Sequence, residues 1–502
     1  MNTDQQLQRT RGGNGVSDLE PDLENVQKPG TEGGEMVEID LAIEKRVVRK
    51  LDIRVLTLLA ALYLLAFLDR SNIGNARVAG MEEDLDLDGR LYEWLLTIFY
   101  ISYILFQFQG ILWKVIPPHR WCAFIVFGWG IVATCQAAAF SWGSEMALRF
   151  LLGATEAGFG PGVPFLLSFF YRRTELGLRC GLFVAAAPLA STFAGALAFG
   201  ITSGHSKLAN WRLLFLVEGI PTLLMVPVAY FFLPDSPTQA RFLTDEEKAV
   251  ARARSIRQTG KVERIDGLNW KDIRATLLDV KPWLTSLMYF SCNVSFSSLP
   301  VFLPSILEDM GFTAIHAQGL SAPPYFLSFV VSIVTPWIAD RYQQRGLTII
   351  VLSLVGASGY ILLATCTAVA PRYVGVFLAA SGVFPCISNI LPWVMNNQGS
   401  DTRRGMAVII LNLLGQCGPL LGTNVFPHSD RPRYIKGQVI CASFMLFNAF
   451  VALSLRTLLV WENRVLDKKY GTLAERERRR AEGRELPVVA EENYGPDYRY
   501  VL

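Results

Sequence analysis

Charged residues are scarce in this chain. They make up 18% of its 502 residues, below the roughly 25% usual in soluble domains. The polar coat that a water-soluble fold of this length needs is therefore missing. Histidine is scarcer still. His119, His205, His316 and His428 are the whole set, all in segments that read as loops and none at metal-ligand spacing. Eight cysteines are scattered singly, with no CxxC pair. That pattern counts against a zinc site or a disulfide framework and leaves small buried apolar side chains. A P-loop, a nucleophile–histidine arrangement and a basic face with interleaved aromatics are absent as well. The net charge is only +3. These gaps argue against ATP-driven work, a membrane enzyme and nucleic-acid binding, and no metal or cofactor is expected.

What is present is apolar length. Hydrophobic residues make up 51% of the chain, and the mean hydropathy is positive. A bilayer-crossing helix needs about 20 mostly apolar residues at 1.5 Å each. Candidate spans lie near 52–74, 92–114, 121–141, 144–168, 179–203 and 211–233. A second set lies near 282–306, 317–339, 346–368, 372–397, 404–426 and 437–460. The expected fold is all-α and membrane-embedded, with twelve transmembrane helices in two six-helix bundles. The bundles cover 51–233 and 282–460, joined by a central loop at 234–281. Polar tails at 1–50 and 461–502 are expected to be solvated, the first of them disordered because it lacks apolar runs. In the central loop, Thr244 followed by Glu247 reads as a capping box that opens a surface helix.

Lys45, Arg46, Arg49, Lys50 and Arg54 crowd the start of the first span, and Glu82, Glu83, Asp84, Asp86 and Asp88 follow its end. Positive charge stays inside. Both termini and the central loop are thus expected in the cytoplasm. The sequon Asn293-Val-Ser295 falls mid-span, out of reach of glycosylation.

Four charges stand where the bilayer penalises them: Asp69, Arg70, Arg149 and Glu156. Such a group at a helix centre costs about 2.5–3.5 kcal/mol on insertion scales, so it usually faces a cavity and a partner. Asp69 is roughly 21 Å along its span from the cytoplasmic side; Arg149 and Glu156 are roughly 8 and 18 Å from the other side. Arg149 and Glu156 are two turns apart and share a face. A guanidinium can grip a carboxylate with two hydrogen bonds, and a carboxylate in a dry cavity can carry a proton. The competing reading is a pair of salt bridges that merely lock two helices. Asn293, Ser297, Asn389, Asn396 and Asn397 place uncharged polar groups in later spans, for a ligand or for interhelical bonds. Glu218 reads as structurally paired.

Together these residues form patterns that resemble one family. They are Phe67-Leu-Asp-Arg-Ser-Asn-Ile-Gly74, the Arg149–Gly162 segment, Asn210-Trp-Arg with Glu218-Gly, and Leu233-Pro-Asp-Ser-Pro237. Pro323-Pro-Tyr325, Ala339-Asp-Arg341, Trp393 with Asn396-Asn397, and Pro432-Arg-Tyr434 before Gly437 follow. From about residue 50 to 465 the chain resembles the major facilitator superfamily, in its fungal anion:cation symporter branch of allantoate, nicotinate and pantothenate permeases. The resemblance implies alternating access and import of a small organic anion with protons. It implies Asp69 and Glu156 as proton-coupled carboxylates and Arg70 and Arg149 at the anion site, with Asn72, Asn293, Asn389 and Asn397 also on the substrate path. Asp340, Arg341 and Arg345 match the family's gating motif after helix 8. After helix 2 that motif is degenerate, keeping Gly110, Lys114 and Arg120 without an aspartate. The expected partners are the anion, protons and lipid, the expected state is monomeric, and the expected site is the plasma membrane. Export of a secondary metabolite, or nutrient sensing without transport, are the alternatives.

Overall fold

A computed structural model describes residues 41–87, 89–202, 207–259, 269–427, 430–482 and 494–502. Expectations about 1–40, His205, His428, 260–268 and 483–493 lie outside the described residues. Everything with regular structure among the described residues is helical. In chain order the helices are α1 (Leu41–Leu51), α2 (Thr57–Ala76), α3 (Gly89–Leu105), α4 (Pro118–Cys135), α5 (Trp142–Glu156), α6 (Gly162–Phe170), α7 (Arg173–Thr202) and α8 (Asn210–Phe232). Next come α9 (Asp245–Thr259) and α10 (Trp270–Leu278), then α11 (Val280–Asp309), α12 (Ala314–Tyr342), α13 (Arg345–Thr365) and α14 (Val369–Asn396). The last are α15 (Asp401–Gly415), α16 (Cys417–Gly422), α17 (Ile435–Tyr470) and α18 (Leu473–Ala481).

Ten helices are each long and apolar enough to cross a membrane, and a bent pair, α3 with Gln107–Lys114, makes an eleventh. One more passage, the fourth in chain order at 142–170, is split between α5 and α6, neither long enough alone. The protein is thus a multi-pass membrane protein with twelve passages. Its rim carries the bulky apolar side chains that lipid requires, such as Phe124, Phe231, Trp337 and Phe450.

The sequence punctuates these helices locally. Pro118 opens α4 at a position where its missing N–H costs nothing. Ser141 caps α5 through Ser144, Asp279 caps α11 and Ser400 caps α15. Prolines inside α7, α8, α11, α12 and α14 persist because neighbouring helices re-satisfy the freed backbone groups.

Three passages break midway, and each break has its own repair. Between α5 and α6, the Gly158 carbonyl accepts from Trp113 Nε1 at 2.7 Å and the Ala154 carbonyl from Gln109 Nε2 at 2.9 Å. Both donors sit on the 3₁₀ segment Gln107–Lys114, which bends by 51° from the helix before it. One broken passage thus supplies the donors that repair the break in its neighbour. The third lies between α15 and α16, where Asn293 Nδ2 donates to the Gly415 carbonyl at 3.0 Å. Gly153 lets α5 press on α3; a Cβ there would overlap Ser102 Oγ and the Phe99 carbonyl.

The polar tails differ from the expectation. Residues 41–51 form the amphipathic helix α1, whose Glu44 pairs with Arg172 at 3.0 Å and Arg254 at 3.1 Å. Central-loop helix α9 has its capping box, Thr244 N to Glu247 Oε2 at 2.9 Å and the reverse bond at 3.3 Å. It is not a free lid, since Glu247 also takes Lys50 at 2.7 Å. On the other side of the loop, α10 fixes Asp272 to Ser400 and Arg403.

The segment 494–502 is docked rather than solvated. Val501 exchanges backbone bonds with the Asn397 amide at 2.8 and 3.1 Å and accepts from Trp393 Nε1 at 2.8 Å. Tyr500 does the same with Asn463 at 2.8 and 2.9 Å. Gly346 donates to the Leu502 carbonyl, and Tyr498 is buried. A backbone strand with no partner strand has its polar groups met by side-chain amides.

Candidate functional site: a central cavity with buried charges

Passages 1–6 and 7–12 meet at both ends of the molecule. At the end of α2, Gly74 fits tightly against Val301, and Thr97 Oγ1 lies 3.3 Å from Thr423 Oγ1. At the opposite, basic face, Leu178 N donates to Asp340 Oδ2 at 2.7 Å and Lys114 Nζ to Thr402 at 3.3 Å. Asp340 also pairs with Arg345. A Cβ on Gly177 would overlap both of those side chains, so glycine lets α7 close over the pair. Arg341, by contrast, is exposed. The degenerate motif after the second passage still supplies Lys114 to a bond across the halves.

Between the two closures lie two neighbouring cavities. The first holds about 470 Å³ of empty space, counting what opens to solvent, and is walled by Tyr63, Tyr100, Tyr103, Phe183, Tyr289 and Phe296, with Asn293, Asn412 and Gln416 supplying polarity. The second, about 420 Å³ counted the same way, lies toward the Gly74 end and includes Arg149, Ser71, Ser297 and Thr423. Arg70, Tyr100 and Phe296 line both. Arg70 therefore stands at the division between them.

Arg70 and Asp69 lie inside α2, not at its end. Arg70 Nη2 donates to Glu156 Oε1 at 2.6 Å. Its guanidinium also sits over the rings of Tyr103 at 5.0 Å and Phe99 at 5.1 Å. Glu156 is the last residue of α5, so the break in the fourth passage sets this carboxylate at a helix end beside the cavity. Arg149 turns to Glu145, one turn earlier, at 3.2 Å, and donates to the Arg70 carbonyl at 3.4 Å. Asp69 does not join either cation by hydrogen bond; Thr222 Oγ1 donates to its Oδ2 at 3.1 Å. Thr222 sits one turn after Glu218, whose two carboxylate oxygens have no hydrogen-bond partner among the described residues. The expected structural pairing of Glu218 is therefore not found.

The uncharged candidates separate. Asn293 lines the first cavity while holding the break in the eleventh passage. Asn72 is fully buried and lines neither cavity. Asn389 donates to Thr335 and the Pro385 carbonyl within its own half. Asn397 is committed to the docked segment. His119 begins α4 rather than lying in a loop, and meets Asp235 at 2.7 Å. The reading missed Glu145, although its i, i+4 spacing to Arg149 was visible. It missed the tyrosines too, for which an apolar helix offers no distinguishing signal.

Comparison with known proteins bears on this arrangement. The family model of the Major Facilitator Superfamily matches residues 59–423. The MFS transporter prlL of a fungal species, strain NRRL 50135, is 34% identical over 89% of this chain and 93% of its own length. The high-affinity nicotinic acid transporter of Saccharomyces cerevisiae is 32% identical over 85% of this chain and 79% of its own. Among solved structures, the proton:xylose symporter XylE aligns with a TM-score of 0.60 at 15% identity, covering 81% of this chain and 94% of that one. At that identity the likeness speaks for the fold alone.

Proposed function

The chain belongs to the Major Facilitator Superfamily, and from that premise we propose that this transporter imports a small organic monocarboxylate together with a proton, as the anion:cation symporter branch does. The observation that carries the reading is Arg70, on the wall of an aromatic-lined cavity, with Glu156 as its paired anion. In a low-dielectric site the net charge must stay near zero. Arg70 can take a substrate carboxylate only if Glu156 stops being an anion. A proton on Glu156 releases the guanidinium, and a bidentate grip on the substrate replaces the pair. Anion and proton then move as a neutral couple. Only one guanidinium faces the first cavity, which suits one carboxylate, and the ring-lined wall suits a flat organic body. The nicotinic acid carried by the yeast relative is such a molecule. Arg149, in the second cavity, would meet the anion before Arg70 does. Opening to the cytoplasm would separate Asp340, and with it the Arg345 and Arg341 gating motif, from α7.

The test uses the full chain in proteoliposomes with labelled nicotinate, pantothenate and benzoate. One proton per substrate at a one-unit pH gradient drives about tenfold accumulation. Glu156→Gln should keep exchange of labelled for unlabelled acid and lose the gradient-driven accumulation, while Arg70→Ala should lose both. Gradient-driven accumulation by Glu156→Gln would overturn the coupling.

A further inference from the structure

Building on the proton-coupled reading, we propose that Glu218 is a further member of the proton site: Asp69 on α2 and Glu218 on α8, linked through Thr222, hold one proton between them, which rests on Glu218. Both residues are nearly fully buried. Asp69 has a donor, Thr222 Oγ1 at 3.1 Å. Glu218 has none. Its oxygens find no donor among the described residues.

The Arg77–Met81 segment packed on α8 brings Arg77, which is held by Glu82. On α2 the ionisable groups are Asp69 and Arg70, and Arg70 is spent on Glu156. On α4, which runs along α8, they are His119, Arg120, Cys122 and Cys135, at or near its ends. Those on α7 facing α8 lie near the basic face. On α5, Arg149 is bonded to Glu145 and Glu156 to Arg70. Thr222, one turn from Glu218, bonds Asp69, so α2 brings Glu218 a like charge. Two carboxylates side by side in an apolar interior cannot both ionise. Asp69 keeps the charge because the Thr222 hydroxyl supports it, and Glu218 keeps the proton.

Thr222 ties the two together. Its hydroxyl serves Asp69 while it lies one turn from Glu218, with Oγ1 3.3 Å from the Glu218 carbonyl. The pair makes no hydrogen bond to the neighbouring Arg70–Glu156 pair, so the protein has one carboxyl that competes with substrate for a cation and one pair that does not. The second can be loaded whether or not an anion is bound.

Infrared spectroscopy of the purified full chain reads protonated carboxyl groups directly through their C=O stretch and needs no substrate. Glu218→Gln should remove one such band at neutral pH. Asp69→Asn should keep that band and shift its frequency, because Glu218 stays buried and loses its neighbour. Glu218→Asp, which retains a carboxyl, should move the frequency and thereby assign the band even if Glu218→Gln does not fold. Spectra in which Glu218→Gln retains the full set of bands, or Glu218→Asp leaves every frequency in place, would overturn the proposal. The same variants in the nicotinate, pantothenate and benzoate assay separate the two readings. A band that depends on Glu218 in a protein accumulating none of the acids leaves the proton site standing and sinks the anion reading. Tenfold accumulation with no band at Glu218 does the reverse.

Discussion

The two halves solve the same packing problem with opposite chemistry. In the first six passages the middle of the bundle holds Asp69, Arg70, Glu145, Arg149, Glu156 and Glu218, all buried or nearly so. In the last six the corresponding region holds amides, hydroxyls and thiols. Asn448 is the hub there, with Nδ2 at 2.8 Å from Ser353 Oγ and 3.2 Å from the sulfurs of Cys292 and Cys386. It joins the seventh, ninth, tenth and twelfth passages. The charged groups of that half, Asp340 and Arg345 among them, sit toward the membrane surface. One half concentrates buried charge, and the other offers a neutral wall. A transporter built this way can move a charge past one set of partners without finding a competing set opposite.

The difference predicts unequal costs. Arg149→Ala leaves Glu145 buried with no cation, and breaking one side of a buried pair costs about 3–5 kcal/mol. The yield of monodisperse protein should collapse, read by size-exclusion chromatography, and Glu145→Gln in the same chain should partly restore it. A smaller loss, about 1–3 kcal/mol, is expected of Asn448→Leu, because the groups it leaves are neutral. Its unfolding temperature should fall while the KM for the transported acid stays unchanged. If Asn448→Leu proves as damaging as Arg149→Ala, the contrast between the halves fails.

Asn397→Ala removes two bonds to Val501, at about 1 kcal/mol each. Segment 494–502 should become cleavable by protease, with uptake retained, which separates Asn397 from the substrate path. The smallest effect concerns pH. Burial raises the Asp497 carboxyl, but the guanidiniums of Arg476 and Arg480 outweigh it and hold the group below its ordinary value. A depressed carboxylate contributes stability above its unfolded value, about 3.9, and loses it as pH falls through the folded value. The hydrogen-exchange protection factor of 494–502, with the intrinsic rate divided out, should therefore be flat from pH 8 to 5 and fall only below about pH 4.

Apolar length alone was enough to read the passages, because a bilayer forces roughly the same run on every crossing helix. The intramembrane charges were legible for the complementary reason: they are costly wherever they appear. Which charge meets which was not legible. Glu156 was readable, but its pairing with Arg70 depends on a break at 157–161 whose repair comes from Trp113 and Gln109, some 45 residues earlier. Tyr100 and Tyr103 look like any amphipathic ring in a helix until the fold turns them to the cavity. The docked segment was invisible because its contacts are backbone to side chain, and polarity suggested only solvent. Glu218 read as paired because a buried acid usually is, and the fold supplies a second acid instead.

That docked segment also bears on assembly. Its anchors are the ends of the seventh, ninth, tenth, eleventh and twelfth passages, through Lys281, Gly346, Trp393, Arg403 and Asn463. All of them precede it in the chain. During synthesis these helices must already be inserted and gathered before Val501 can find Asn397. Its seating therefore marks the moment at which the second bundle is complete, and protection of Tyr498 from modification offers a clock for the maturation of that half.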